Sequence, residues 1–196
     1  MLAVVDNTIP GEKTEFLSKL QDGLKRLGIP FETYREVAPL LADADEIEAV
    51  ILSGSGRMVD ADLRAEDVAC ALAALALDVP VLGVCFGCQL LCWLSGAKLV
   101  RLDKPFCGSA RASGKKNISK LFFCTNYVVK LRGSAMKAVL ACEAVGPCAF
   151  EHASRRWYGT LFHPEASGAF GEALLKKFWD IRGTLESRNQ RGNMFE

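Results

Sequence analysis

The chain has 196 residues, of which 50% are apolar and 24% charged, and its formal net charge is +1. A chain of this size and composition buries one sizeable core without cross-links and is not intrinsically disordered. The near-neutral balance excludes an electrostatic case for nucleic acid or an anionic membrane surface.

The N-terminus reaches Asp6 with no basic region followed by a long apolar run. The most apolar stretch, Val68 to Leu94, is broken by Asp78, Pro80, Gly83, Gly87 and Gln89. Neither pattern reads as a leader or a spanning helix, and the expectation is a soluble, cytoplasmic protein.

Leu2–Asp6 is a short apolar run that suits a buried strand. From Thr14 to Leu27, the residues Phe16, Leu17, Leu20, Leu24 and Leu27 share one helical face, and Gly28 and Pro30 stop the helix. Phe31–Tyr34 and Ala49–Leu52 read as further strands, the second ending in the turn-rich Ser53-Gly-Ser-Gly56. The Ala- and Leu-rich stretch from Leu63 to Leu77 predicts a helix, Pro80–Val84 a strand, and Cys88–Leu94 another helix.

Arg101–Asn117, rich in Lys, Arg, Ser and Gly, reads as a surface loop; its Arg111, Lys115 and Lys116, with Lys120, suit a solvated face or a docking face for a partner subunit. Short strand-like runs follow at Ile118–Cys124, Tyr127–Leu131, Val139–Cys142, Cys148–Phe150 and Trp157–Phe162. A helix is expected over Gly168–Ile181, with Phe170, Leu174, Phe178 and Ile181 on one face. The expected fold is α/β: an open, mostly parallel sheet with helices on both faces and antiparallel edge strands, in three flavodoxin-like layers. One domain is expected over residues 1–184, with a polar and loose tail over 185–196.

The sharpest local feature is Gly83-Val-Cys85-Phe-Gly87, which ends a strand and opens a helix. Glycines on both sides of a cysteine at a tight strand-to-helix turn fit a nucleophile elbow, where neighbouring chain passes too close for a Cβ. A helix N-terminus there favours the thiolate. The chain has only two histidines, His152 and His163. Pro164 biases His163 towards extended backbone, which puts Glu165 on the same side as the imidazole and makes a base with an orienting carboxylate. His152 reads as structural. The Ser53–Gly56 loop lies at the same sheet edge, where its N–H groups and that of Phe86 suit an oxyanion.

All eight cysteines, at positions 70, 85, 88, 92, 107, 124, 142 and 148, read as free thiols in mostly apolar surroundings. Cys85 and Cys88 form a C-x-x-C, but there is no second such pair for a zinc site, and no metal or cofactor is expected.

Gly83-Val-Cys-Phe-Gly-Cys-Gln-Leu90 resembles the G-x-C-x-G-x-Q signature of class I glutamine amidotransferases, and Tyr158-Gly-Thr-Leu-Phe-His-Pro-Glu165 resembles that family's Y-G-x-x-F-H-P-E. Val5-Asp-Asn7 and Glu151-His152 are also similar to family members, so the resemblance runs over roughly residues 1 to 182. It implies a glutaminase that releases ammonia through a γ-glutamyl thioester. Cys85 would be the nucleophile, His163 the base and acid, and Glu165 the orienter. Ser55 and Phe86 would supply the oxyanion hole. Gly54, Gly56, Gly87, Gln89, Asn126 and Tyr127 would line the glutamine site.

The implied partners are glutamine and a separate synthase subunit that accepts ammonia. Two other readings use the same fold: a γ-glutamyl-peptide hydrolase, and a regulatory subunit with weak turnover. Three features depart from the family pattern. Ser55 replaces a usual glycine in a loop without its proline, Cys124-Thr-Asn126 stands where many relatives carry a histidine, and the stretch Arg101–Phe123 is short.

Overall fold

The structure is a computed structural model that describes residues 1–9, 15–59, 63, 65–114, 118–182 and 194–195. In chain order the elements are β1 (Leu2–Val5), α1 (Glu15–Arg26), β2 (Phe31–Tyr34), α2 (Val37–Ala42), β3 (Ala49–Leu52), α3 (Ala65–Ala76), β4 (Val81–Val84) and α4 (Phe86–Leu94). There follow β5 (Lys98–Ser113), β6 (Ile118–Lys130), β7 (Met136–Cys142), β8 (Gly146–His152), β9 (Trp157–Thr160) and α5 (Gly168–Asp180). The fold is α/β, as expected. Its single nine-stranded sheet has the order β2-β1-β3-β4-β9-β8-β7-β5-β6.

The first five strands in that order are mutually parallel, and β9 then pairs antiparallel with β8. The remaining pairings, through β7 to β5 and β6, are antiparallel. The antiparallel strands, four of the nine, lie together at one edge of the sheet.

Strand alternation sorts the apolar residues into two cores. On β1, Leu2 and Val4 join one core while Ala3 and Val5 join the other; on β3, Ala49 and Ile51 divide from Val50 and Leu52 in the same way. The first core takes Leu20 and Leu24 of α1 and Leu174, Leu175 and Phe178 of α5. The second takes Leu40 of α2, Cys70, Ala71 and Ala74 of α3, and Phe86, Leu90 and Leu91 of α4. Because both faces of the central strands are covered, those strands read as unbroken apolar runs.

Three expectations change. Arg101–Asn117 is not a surface loop: residues 98–113 form β5, the longest strand, and 115–117 lie outside the described residues. Its inward positions are Phe106, Gly108, Ala110 and Ala112, alternating with exposed Cys107, Ser109, Arg111 and Ser113, so period two is present but small inward residues hide it. Ile118–Cys124 and Tyr127–Leu131 are one strand, β6. Arg101 pairs with Tyr127 and Phe106 with Thr125, so residues 102–105 bulge opposite Asn126 and leave β6 regular.

The third change concerns the tail. Most of 185–196 lies outside the described residues, but Met194 and Phe195 are buried in the first core, and the Met194 amide donates to Glu151 Oε1 at 3.0 Å. Both residues are apolar and gain from burial. Thr14, expected in the first helix, and Arg64, expected in the third, also lie outside the described residues.

Candidate active site

Cys85 stands between β4 and α4 at φ 48°, ψ −103°, one of two non-glycine residues at positive φ among the described residues. Such backbone is strained for an L-residue and persists because its surroundings hold it. The Cys85 amide donates to Thr160 O of β9 at 2.7 Å, and Cys85 O accepts the Gln89 amide at 2.9 Å. The flanking glycines are steric necessities. A Cβ on Gly83 would sit 2.5 Å from Gly87 O, and one on Gly87 would sit 2.2 Å from Leu52 O. The elbow packs so tightly on β3 and on its own helix that only hydrogen fits at these two positions.

His163 arrives from the other side of β4. Leaving β9, the chain forms an isolated antiparallel bridge between Phe162 and Phe123 of β6, and the His163 amide donates to Phe122 O at 2.8 Å. Pro164–Ala166 then make a short 3-10 turn that swings Glu165 back under the imidazole. Glu165 Oε1 lies 2.8 Å from His163 Nδ1, with both side chains 2% exposed. The turn packs closely on α5: a Cβ on Gly171 would fall 1.9 Å from Pro164 O. Ser167 locks the segment, donating to His163 O at 2.7 Å and accepting the Phe122 amide at 3.0 Å.

Gly54 brings these parts together. A Cβ there would be 3.1 Å from His163 Cε1 and 3.6 Å from Cys85 Cβ, so the loop after β3 touches both residues. His163 Nε2 is the ring nitrogen left for Cys85. The sulfur is near enough to act on the imidazole's charge, yet its thiol proton points to Cys124 O at 3.2 Å, and Nε2 makes no well-aligned hydrogen bond. Catalytic hydrogen bonds are often loose before substrate binds. Burial lowers the His163 pKa, but the adjoining Cys85 and then Glu165 outweigh it and raise the pKa from the ordinary 6.5 to about 10. His152 is shifted the other way, lowered first by burial and then by Arg155; its Nδ1 accepts the Ser154 and Arg155 amides, which suits a structural role.

Phe86 opens α4, and a helix leaves its first amides without intrahelical partners, so the Phe86 N–H is available beside Cys85. Ser55 follows Gly54 and keeps ordinary backbone, its Oγ accepting the Arg57 amide at 3.2 Å. Gly56 is exposed at the loop tip. Gln89 is buried one turn along α4; its Nε2 donates to Thr125 Oγ1 at 3.2 Å and its Oε1 has no hydrogen-bond partner. Asn126 shares a face of β6 with Phe122 and Cys124. Tyr127, on the opposite face, lines a cavity of about 400 Å³ with Val59, Trp93, Gly96, Ala97, Lys98 and Leu99, none of which belongs to the Cys85–His163–Glu165 group.

Four participants lack a motif of their own. Phe16 stacks on the imidazole, with ring centroids 3.9 Å apart and planes at 24°, and Phe122 meets its edge at 6.4 Å. Thr125 anchors Gln89, and Ser167 anchors the His163 backbone. The only sequence signal among them is Ser167, a serine just before a helix; its hydroxyl serves His163 instead of capping α5. Among the described residues, no group of three or more His, Cys, Asp or Glu could hold a metal ion, and no helix is long and apolar enough to cross a membrane.

A doubly covered α/β sheet with a cysteine elbow at the strand ends and a histidine–glutamate pair beside it is the architecture of the α/β proteins that carry a nucleophile elbow. The chain belongs to the class-I glutamine amidotransferase family, whose model, glutamine amidotransferase class-I, matches residues 13–181. It is 29% identical over 181 residues to the glutamine-hydrolyzing GMP synthase subunit of Methanococcus vannielii, covering 86% of this chain and 93% of that protein. It is 32% identical over 162 residues to the glutamine-hydrolyzing GMP synthase of Saccharomyces cerevisiae, covering 76% of this chain but 30% of that longer protein. A solved structure described as a GMP synthase subunit protein, from Thermoplasma acidophilum, superposes with a TM-score of 0.80 over 96% of both chains, at 19% identity.

Proposed function

We propose that this chain hydrolyses the side-chain amide of glutamine through a thioester on Cys85 and delivers the ammonia to a separate GMP-synthase-type subunit. One observation carries the reading: Cys85 sits in a strained elbow beside a buried His163–Glu165 pair joined at 2.8 Å, with Gly54 packed against both. Family membership supports the substrate, and similarity along nearly the whole length of the M. vannielii protein supports the division of labour.

The proposed chemistry uses these groups as follows. The Cys85 sulfur, having given its proton to His163, attacks the amide carbon. The resulting oxyanion takes the Phe86 N–H and an N–H of the Ser55 loop. His163 returns its proton to the amide nitrogen, the C–N bond breaks, and ammonia leaves a γ-glutamyl thioester. Water then attacks the thioester with His163 as base, the C–S bond breaks, and glutamate departs. Glu165 holds the imidazole with Nδ1 engaged, leaving Nε2 for the sulfur. Gly87 keeps the elbow tight, Asn126, on the Cys124 face of β6, meets the acyl chain, and Gln89, bonded to Thr125, supports β6 from the other face with Tyr127.

Covalent trapping tests this reading. An electrophilic glutamine analogue should label Cys85 alone among the eight cysteines, excess glutamine should protect it, and Cys85→Ala should lose both label and turnover. Scattered labelling that glutamine does not protect would overturn the assignment.

A further inference from the structure

Cys107 of β5 and Cys124 of β6 stand directly opposite each other in the antiparallel ladder. Opposite positions on such strands have Cα atoms about 4.5–5.5 Å apart, inside the ~4.4–6.8 Å range that a disulfide spans. Both side chains project from the same face, and the two thiols are close enough for Cys107 to act on the titration of Cys124. Cys107 is exposed and Cys124 half-buried, whereas Cys70, Cys85, Cys88, Cys92, Cys142 and Cys148 are all buried. Only this pair therefore combines facing geometry with access from solvent.

The pair also touches the candidate active site through the backbone. Cys124 O accepts the Cys85 thiol at 3.2 Å, and Phe122, two residues earlier on the same face, meets the edge of the His163 ring. We propose that Cys107 and Cys124 are a redox modification site: a dithiol that a hydroperoxide closes to a disulfide, and whose closure slows reaction at Cys85 by holding Cys124 O against the thiol. This goes beyond glutamine hydrolysis and does not depend on it.

The steps balance. The Cys107 sulfur attacks the O–O bond of the hydroperoxide and becomes a sulfenic acid, releasing water, or an alcohol if the peroxide is organic. The Cys124 sulfur then attacks the sulfenic sulfur, the S–O bond breaks, and water leaves carrying the Cys124 proton. Two thiols are oxidised by two electrons in all, and the peroxide is reduced by the same two. Burial, and then Cys107 itself, push the Cys124 thiol up to about 12, so Cys107 is the partner that meets the oxidant and Cys124 the one that resolves it.

The test uses the full chain with hydrogen peroxide as the probe, followed by thiol alkylation, non-reducing digestion and mass spectrometry. The expected product is a peptide pair linked through Cys107 and Cys124 that dithiothreitol separates, absent from Cys107→Ser, whose exposed position tolerates the change. Cys85 should then react with iodoacetamide severalfold more slowly in the oxidised chain than in the reduced one, while peroxide-treated Cys107→Ser shows no such slowing. Full alkylation of both thiols after peroxide, or a link between either and another cysteine, would overturn the site. A Cys85 rate unaffected by the disulfide would overturn its coupling to the site. The alkylation readout needs no glutamine turnover, so failure of this proposal is distinguishable from failure of the proposed function.

Discussion

His163 and His152 are the two histidines of the chain, and their environments push them apart. With the His163 pKa raised to about 10, its protonated form gives stability that is fully present below the ordinary 6.5 and is lost as pH rises through about 10. The charge on the Cys85 sulfur and on Glu165 therefore favours the imidazolium once the thiol proton has moved to it. Imidazole NMR should show one ring titrating below 6.5 and one near 10, and the upper titration should move down in Cys85→Ala, because Cys85 is the first of the groups that raise it. Two rings titrating together near 6.5 would contradict this account. The positions of His163 and Cys85 were legible in the sequence because the chain has only two histidines and because one of its eight cysteines is flanked by Gly83 and Gly87. Phe16 was not, since an aromatic at the start of an amphipathic helix reads as ordinary packing until the fold lays it on the imidazole.

At the scale of elements, the site depends on how β6 meets the end of β9. Phe123 is fully buried, bridges Phe162, and packs edge-on against it with centroids 6.0 Å apart. Phe123→Ala should cost about 3–5 kcal/mol in denaturant unfolding. Because Phe162 precedes His163, the protein that still folds should also lose glutamine turnover. Leu72→Ala, at a position 52% exposed on α3, should stay within about 0.5 kcal/mol of the parent. Equal effects of the two substitutions would contradict the role given to the bridge. The elbow was readable because Gly83 and Gly87 answer a local steric demand. β5 was not readable: with Gly108, Ala110 and Ala112 inward, its strand state is conferred by pairing with β6, a long-range condition that local composition does not report.

For the whole molecule, the parallel part of the sheet carries Cys85 while the antiparallel part reaches over to supply Phe122, Cys124 and Thr125. The two parts share one core, so the site draws on both. The division of labour proposed here has a direct consequence. Mixed with the synthase subunit of a GMP synthase, this chain should support GMP formation from glutamine. The Cys85→Ala chain should support it only when ammonia is added. Glutamine-dependent synthesis that survives Cys85→Ala would contradict the proposal.

The sequence by itself determined what short-range sterics and periodicity control: the α/β alternation, the glycine-flanked Cys85 elbow, and the spacing that turns Glu165 toward His163. Tertiary structure alone decided the rest. The size of the antiparallel part, the single β6 strand, the burial of Met194 and Phe195, and the Cys107–Cys124 pairing all rest on contacts between distant segments. The same is true of Phe16 on His163. In each case the residue's local preference is weak, and the free energy that settles its place comes from burial and strand pairing that exist only once the chain has closed.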